Sequence, residues 1–395
     1  MSDNRWFILG VLFIARLALG YQFQSAGSVA PFLIRDLGID YVQVGLLVGG
    51  FILPGIAISL PSGFLGRRFG DKQVVVAGMV LMVLGGAITT LAGSFATMMA
   101  GRILGGIGGA ILIVLMSKMV FDWFPDKERF LGNAIFIVGW PVGIAAAQLT
   151  QSRFAELHSW QAVFASAMVF VALALVLMAV FYHRPAAAAP DPEPDQPAGL
   201  TRVDVGMACL TGIIWMFLNG TYLVMLSFAP AHLIERGMSI VEAGAVVSLI
   251  SWVCILALPV GGYLATQYHK PNLVMFGGLI ASILLGAFIP FLPAPHLTFL
   301  LFGIAFALAT PVVGSLAAEV LGPHVRGPGF GIYYLWYFGG MPVLLALGGL
   351  LRDWTGFATT SVLFAVGLLV CCLVLAVVFR LAQARGSKAE SYQPS

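Results

Sequence analysis

Charged residues are scarce in this chain: Asp, Glu, Lys and Arg make up 9% of its 395 residues, against 60% hydrophobic ones. A soluble domain carries about 25% charged residues. The 20 basic and 17 acidic side chains present here are too few to coat a soluble protein of this length. That excludes a soluble enzyme, a nucleic-acid binder and a disordered scaffold together. The net charge of +3 is small and scattered, so no polyanionic partner is implied. Cysteine is equally sparse. Cys209, Cys254, Cys371 and Cys372 all lie in apolar runs without metal-ligand or redox spacing, which makes them packing residues. Neither a metal site nor a cofactor is expected, and what remains is an integral membrane protein.

A spanning helix needs about 20 mostly apolar residues. Such runs occur near 6–32, 42–65, 73–92, 97–120, 131–151 and 161–182, and again near 203–230, 240–266, 272–292, 297–320, 330–350 and 357–380. The reading is therefore an all-α membrane protein with twelve transmembrane helices: a six-helix bundle over 1–182, a linker over 183–202, a second bundle over 203–380 and a tail over 381–395. The linker contains Pro190-Asp191-Pro192-Glu193-Pro194-Asp195, a density of proline and acid that cannot bury a core. Of the Lys and Arg residues, 14 fall on the side of the termini and linker and 4 (Arg35, Arg153, Arg236, Arg352) on the other. By the positive-inside rule both termini are expected in the cytoplasm, and the setting is expected to be a bacterial inner membrane.

The two sets of six repeat one another. A shift of 199 residues superimposes Pro31 on Pro230, Gly38 on Gly237, Gly45 on Gly244, Gly63 on Gly262 and Gly78 on Gly277, and a shift of 197 superimposes Arg129 on Arg326 and Gly132 on Gly329. Six is even, so both halves cross the bilayer in the same sense. Parallel repeats of this kind characterise transporters that rock two bundles about a central site.

Between the second and third spans lies Gly63-Phe64-Leu65-Gly66-Arg67-Arg68-Phe69-Gly70-Asp71-Lys72. This resembles the G-x-L-a-D-R-x-G-r-k loop of the major facilitator superfamily. In the fourth span, Arg102-Ile103-Leu104-Gly105-Gly106-Ile107-Gly108-Gly109-Ala110 resembles that family's R-x-x-q-G-x-g-a-a pattern. The resemblance covers the whole chain by helix count and repeat, with a loose similarity to cyanate- and nitrate-type permeases. It implies a secondary transporter working by alternating access. It also implies a conformational role for Gly63, Arg67, Arg68, Gly70, Asp71, Arg102 and Gly106. One departure stands out: Arg67 occupies the family's acidic position, and the acid follows as Asp71. In the family that acid helps latch the bundles together on the cytoplasmic side, so a rewired or weaker latch is implied here. Arg102, near the outer end of its helix, is long enough to snorkel toward the membrane surface.

Arg16 is the most informative single residue. It lies about ten residues into the first span, or roughly 15 Å at 1.5 Å per residue, close to the bilayer midplane, where Arg costs about 2.5–3.5 kcal/mol on insertion scales. All 17 carboxylates fall in loops, tails or helix ends, and so do the six histidines. A buried cation without a resident anion asks for one from outside, so Arg16 is expected to bind an anionic substrate by a charge-assisted contact. The bland alternative is an arginine bonded to helix carbonyls. Gly20, Phe23, Gln24 and Gly27 follow within about 80° of the same helix face, and the two glycines leave room for a ligand. The 199-residue offset maps Arg16 to Trp215, Gly20 to Asn219 and Phe23 to Tyr222, which share one face of the seventh span. Trp140, Gln148, Ser251, Trp252, Tyr333 and Tyr337 are further candidates. The function expected is transport of a small organic or inorganic anion by a monomer in the lipid bilayer. The alternative is a drug or metabolite exporter of the same superfamily, with a mainly apolar cavity and a structural Arg16.

Overall fold

The structure, a computed structural model, describes residues 4–124, 126–185, 200–291, 293–321 and 325–390. Most of the proposed linker (186–199) and the end of the tail lie outside the described residues. Within them the chain is helical: α1 (Arg5–Ser28), α2 (Ala30–Leu37), α3 (Tyr41–Ile52), α4 (Gly55–Phe69), α5 (Asp71–Thr90), α6 (Phe95–Trp123), α7 (Asp126–Leu157), α8 (Trp160–Phe181), α9 (Arg202–Glu235), α10 (Ile240–Gln267), α11 (Pro271–Phe288), α12 (Pro295–Val320), α13 (Arg326–Thr355) and α14 (Thr359–Glu390). Among the described residues, twelve stretches are long and apolar enough to cross a membrane.

There are fourteen helices for twelve spans because two of the expected helices break. The first stops at Ser28 and restarts as α2, with Pro31 in its opening turn, where a missing N–H is harmless. The second is interrupted at Leu53-Pro54 between α3 and α4. Pro141, Pro230, Pro259, Pro311 and Pro342 instead lie inside continuous helices. Spanning helices tolerate this because neighbouring helices re-satisfy the freed backbone groups.

The sequence repeat has a backbone counterpart. Gly38 and Gly237, one offset apart, both adopt the positive φ (63° and 92°) that side-chain-bearing residues avoid. Two residues later each half starts its next helix with a capping box, Asp40 with Gln43 and Ser239 with Glu242.

Arg5, Phe124, Phe181 and Arg184 gather at one end of the bundle, through edge contacts of Trp6 with Phe124 and of Phe7 with Phe181. We term this the terminal end and the opposite one the distal end. The two halves meet where α3 packs on α13 and α7 on α10. A Cβ on Gly45 would collide with the carbonyl of Leu345, and one on Gly244 would lie 2.9 Å from the carbonyl of Gln148. Leu345 and Gln148 are themselves 197 residues apart, so one backbone-on-glycine contact is made twice. Polar bonds reinforce it distally. The Asp353 carboxylate accepts from the backbone N–H groups of Tyr41 (3.3 Å) and Val42 (2.9 Å) at the start of α3, where the helix dipole favours an anion. Gln148 Nε2 donates to the Leu226 carbonyl at 3.2 Å, again from one half to the other. Arg352 pairs with Glu235 at 3.0 Å and covers the Tyr41 ring. The distal end is sealed.

At the terminal end the motif residues act within the first half. Asp71 opens α5 and pairs with Lys118 of α6 at 2.9 Å, so its visible partner is not in the other bundle, as a bundle-to-bundle latch would require. Arg67 and Arg68 are exposed and lie over Phe64 and Phe69. Gly70 provides the turn with φ 88°, Gly63 faces open space, and Gly106 packs against the backbone of Phe51. Arg102 corrects the snorkelling expectation. It is 2% exposed. It donates to the carbonyls of Leu47 (2.9 Å), Gln22 (3.0 Å) and Phe23 (2.7 Å) and lies 4.6 Å from the Phe51 ring centre. It staples α6 to α1 and α3.

Two outcomes are expected. Truncation Arg102→Ala removes a buried network of charged hydrogen bonds and is expected to destabilise the protein by about 2–4 kcal/mol, read as a lowered melting temperature. Loss of the Asp353 carboxylate (Asp353→Asn) removes contacts worth about 1.5–3 kcal/mol. The distal seal then opens more often, and a cysteine at buried Ser227 reacts about tenfold faster or more with a membrane-impermeant maleimide. An unchanged labelling rate would show that Asp353 does not hold the seal.

Candidate functional site

Between the seal and the terminal end, α1 and α7 of the first half and α9, α10, α12 and α13 of the second enclose a cavity of about 450 Å3. That is within the range of about 300–1,000 Å3 usual for small-molecule sites. The repeat builds its centre: Arg16 and its mate Trp215 both line it, as do Trp140 and the residue 197 positions on, Tyr337.

Arg16 enters from α1, and Gly139 of α7 makes space for its stem, since a Cβ there would stand 3.1 Å from Arg16 Cβ. The guanidinium carbon lies 5.2 Å from the Phe136 ring centre and 5.5 Å from that of Trp140. Nε and Nη1 are buried, with no hydrogen-bond partner among the described residues. Among those residues no carboxylate lines the cavity. The two intramembrane arginines therefore differ: all three nitrogens of Arg102 are bonded to carbonyls, whereas Arg16 presents unused donors beside a cavity. A guanidinium carries five N–H donors in a planar fork that matches a carboxylate.

Across the cavity stand Trp215, Asn219 and Tyr222, together on one side of α9 as their spacing implied. Asn219 Nδ2 donates to the Trp215 carbonyl at 2.9 Å. The Tyr222 hydroxyl bonds Ser251 Oγ at 2.8 Å, and its ring stacks on Phe306 with centres 5.8 Å apart. The remaining wall is mostly apolar, with Leu218, Leu258, Pro141, Pro259 and Pro311 among its residues.

Six of the expected residues thus share the cavity: Arg16, Trp140, Trp215, Asn219, Tyr222 and Tyr337. The other eight do not line it. Gly20 faces α7, where a Cβ would come within 3.4 Å of Ile144 N, so it allows close helix packing rather than room for a ligand. Phe23 is a core ring between Phe51 and Trp140. Gln24 is buried with no partner for its amide, and Gly27 lies beside it, facing Ser227 of the seal. Gln148 bridges the halves, Ser251 stands behind Tyr222, and Tyr333 stacks beneath Trp215. Trp252 is 36% exposed and off the cavity. Sequence reasoning missed Phe306, Thr310, Pro311 and Gly314 of α12. The available signal was the small and helix-loosening trio Thr310, Pro311 and Gly314 at mid-helix, a pattern easily taken for packing.

Known proteins agree with this architecture. The hexuronate transporter of Bacillus subtilis (strain 168) is 27% identical over 68% of this chain and 66% of its own length. The 3-(3-hydroxy-phenyl)propionate transporter of Escherichia coli (strain K12) is 24% identical over 95% of this chain and 94% of its own. A crystal structure of a D-xylose-proton symporter superimposes with a TM-score of 0.76 at 18% identity, covering 95% of this chain and 96% of that one. The sequence model of the Major Facilitator Superfamily matches residues 12–343. With twelve membrane-spanning helices in two parallel repeats around a central cavity, the chain belongs to the major facilitator superfamily of transporters.

Proposed function

We propose that this protein carries a small organic or inorganic anion across the membrane by alternating access, with Arg16 as the ligand of the negative group. The observation that carries the reading is the Arg16 guanidinium, whose buried Nε and Nη1 have no partner beside a cavity without a carboxylate. The two relatives support it, since hexuronate and 3-(3-hydroxy-phenyl)propionate are both carboxylates.

The excess of Lys and Arg on the side of the termini supports a cytoplasmic terminal end. The sealed distal end then faces outward, and the cavity belongs to an inward-facing state. We place the protein in a bacterial inner membrane as a monomer, since each chain holds a complete cavity. The transport step follows from the contacts between the halves. The glycine-lined contacts of α3 with α13 and of α7 with α10 part on the outer side while the terminal side closes over the loaded site. Asp71 and its arginine-rich loop lie at that terminal side.

Charge sets the coupling. A loaded site is neutral, whereas an empty one must enclose an unpaired guanidinium when access switches. A charge at mid-bilayer depth costs about 2.5–3.5 kcal/mol, so the empty carrier is slow to return and exchange of one anion for another outpaces net flux.

The test begins with thermal-shift screening against mono- and dicarboxylates, nitrate, nitrite and cyanate, because a ligand that binds only the folded state raises its melting temperature. For the anion with the largest shift, uptake into proteoliposomes is expected to fall at least about tenfold in Arg16→Gln, the size of one lost charged hydrogen bond. Arg16→Lys keeps the charge, loses the fork, and retains part of the uptake. Equal carriage of a neutral lipophilic solute by both variants would instead identify an exporter with a structural Arg16. In the same vesicles, wild-type uptake is expected to be at least about tenfold faster with the anion on both sides than on one.

A further inference from the structure

We propose that the cargo is a monovalent carboxylate on an apolar body of arylalkanoate size, rather than a dicarboxylate, a polyhydroxylated sugar acid or a small inorganic anion. This rests on the reading of Arg16 as the anion ligand and goes beyond it by naming the rest of the molecule.

Charge is the first argument. Among the described residues Arg16 is the one cation lining the cavity. Other cations are engaged: Arg102 in the bundle interior by three carbonyls, and Arg352, Arg380 and Lys118 toward its ends by Glu235, Glu319 and Asp71. A second carboxylate on the cargo would have to rest among residues such as Leu218 and Leu258 with no counter-charge.

Hydrogen bonding is the second. Several of the polar groups that line the cavity are already bonded to the protein. Asn219 Nδ2 is held by the Trp215 carbonyl, the Tyr222 hydroxyl by Ser251, and Thr310 Oγ1 donates to the Phe306 carbonyl at 2.8 Å. The second amide N–H and the carbonyl oxygen of Asn219, the Tyr337 hydroxyl and the indole N–H groups of Trp140 and Trp215 remain, a set richer in donors than in acceptors for hydroxyls on the cargo. A sugar acid brings several, and each one buried without a partner weakens binding.

Shape is the third. Five aromatic rings (Trp140, Trp215, Tyr222, Phe306 and Tyr337) surround the space, so an apolar or aromatic body replaces water against ring faces. A cavity of about 450 Å3 is far larger than a nitrate ion needs.

The experiment uses the full chain in lipid nanodiscs. Quenching of tryptophan fluorescence and thermal shift are followed with 3-phenylpropionate, terephthalate, D-glucuronate, nitrate and the neutral amide 3-phenylpropanamide. Trp140 and Trp215 sit in the cavity wall and report occupancy. The expected result is that 3-phenylpropionate binds at least about tenfold more tightly than the other four, and that Arg16→Gln removes this preference. Terephthalate, glucuronate or nitrate binding as tightly as 3-phenylpropionate, and only with Arg16 intact, overturns the apolar monoanion and leaves the anion ligand standing. The amide binding as tightly as the acid, with no effect of Arg16→Gln, overturns both. If neither 3-phenylpropionate nor a medium-chain alkanoate binds to protein with an intact thermal transition, the inference also fails, and the anion reading is then judged on the uptake assay alone.

Discussion

A positive charge inside an apolar bundle must be answered by something, and in this protein the question arises twice. At Arg102 the answer comes from the fold: three backbone carbonyls of α1 and α3 accept from its guanidinium, and the Phe51 ring covers it. At Arg16 the fold supplies only two aromatic rings, and buried donors remain unused beside the central cavity. The first arginine holds three helices in register. The second keeps unbonded donors beside the cavity. The incomplete site depends on the completed one, since the Arg102 staple fixes the helix that carries Arg16.

The frame around that site is made twice and then broken in symmetry. Gly45 against Leu345 and Gly244 against Gln148 are one contact repeated by the internal duplication, and Gly106 against Phe51 recurs as Gly303 against Ile250. Glycine brings backbones together without interlocking side chains. The departures from symmetry include the cavity wall. Arg16 is paired by the repeat with Trp215, Trp140 with Tyr337, and Arg102 with Phe299, a core ring. Duplication supplies the contacts between the halves and the container. Divergence supplies the single charge and the aromatic wall.

Much of this was legible in the chain. The span count, the repeat and the isolation of Arg16 follow from hydropathy and from the placement of acids. The α9 stripe of Trp215, Asn219 and Tyr222 lines the cavity as its spacing implied, because residues at i, i+4 and i+7 share a side of any helix. The α1 stripe was read less well. Gly20, Phe23, Gln24 and Gly27 also follow Arg16 along its helix, yet they pack against α7, Phe51 and the seal. Successive turns of a tilted helix meet different neighbours, so a face that is open at one depth is filled at the next. Asp71 likewise occupies a recognisable loop, while its partner Lys118 is 47 residues away and could be identified only in three dimensions.

The sequence by itself determined the solvent, the number of crossings, the duplication and the presence of one deep cation without an acidic mate, because each depends on residue types and their positions along the chain. Only the tertiary structure decided which arginine is satisfied, which polar side chains see the cavity and which end is closed. In a soluble helix the polar face marks the outside. Here lipid and core are both apolar, the helices carry almost no sided pattern, and the direction each residue faces is set by the neighbours it packs against.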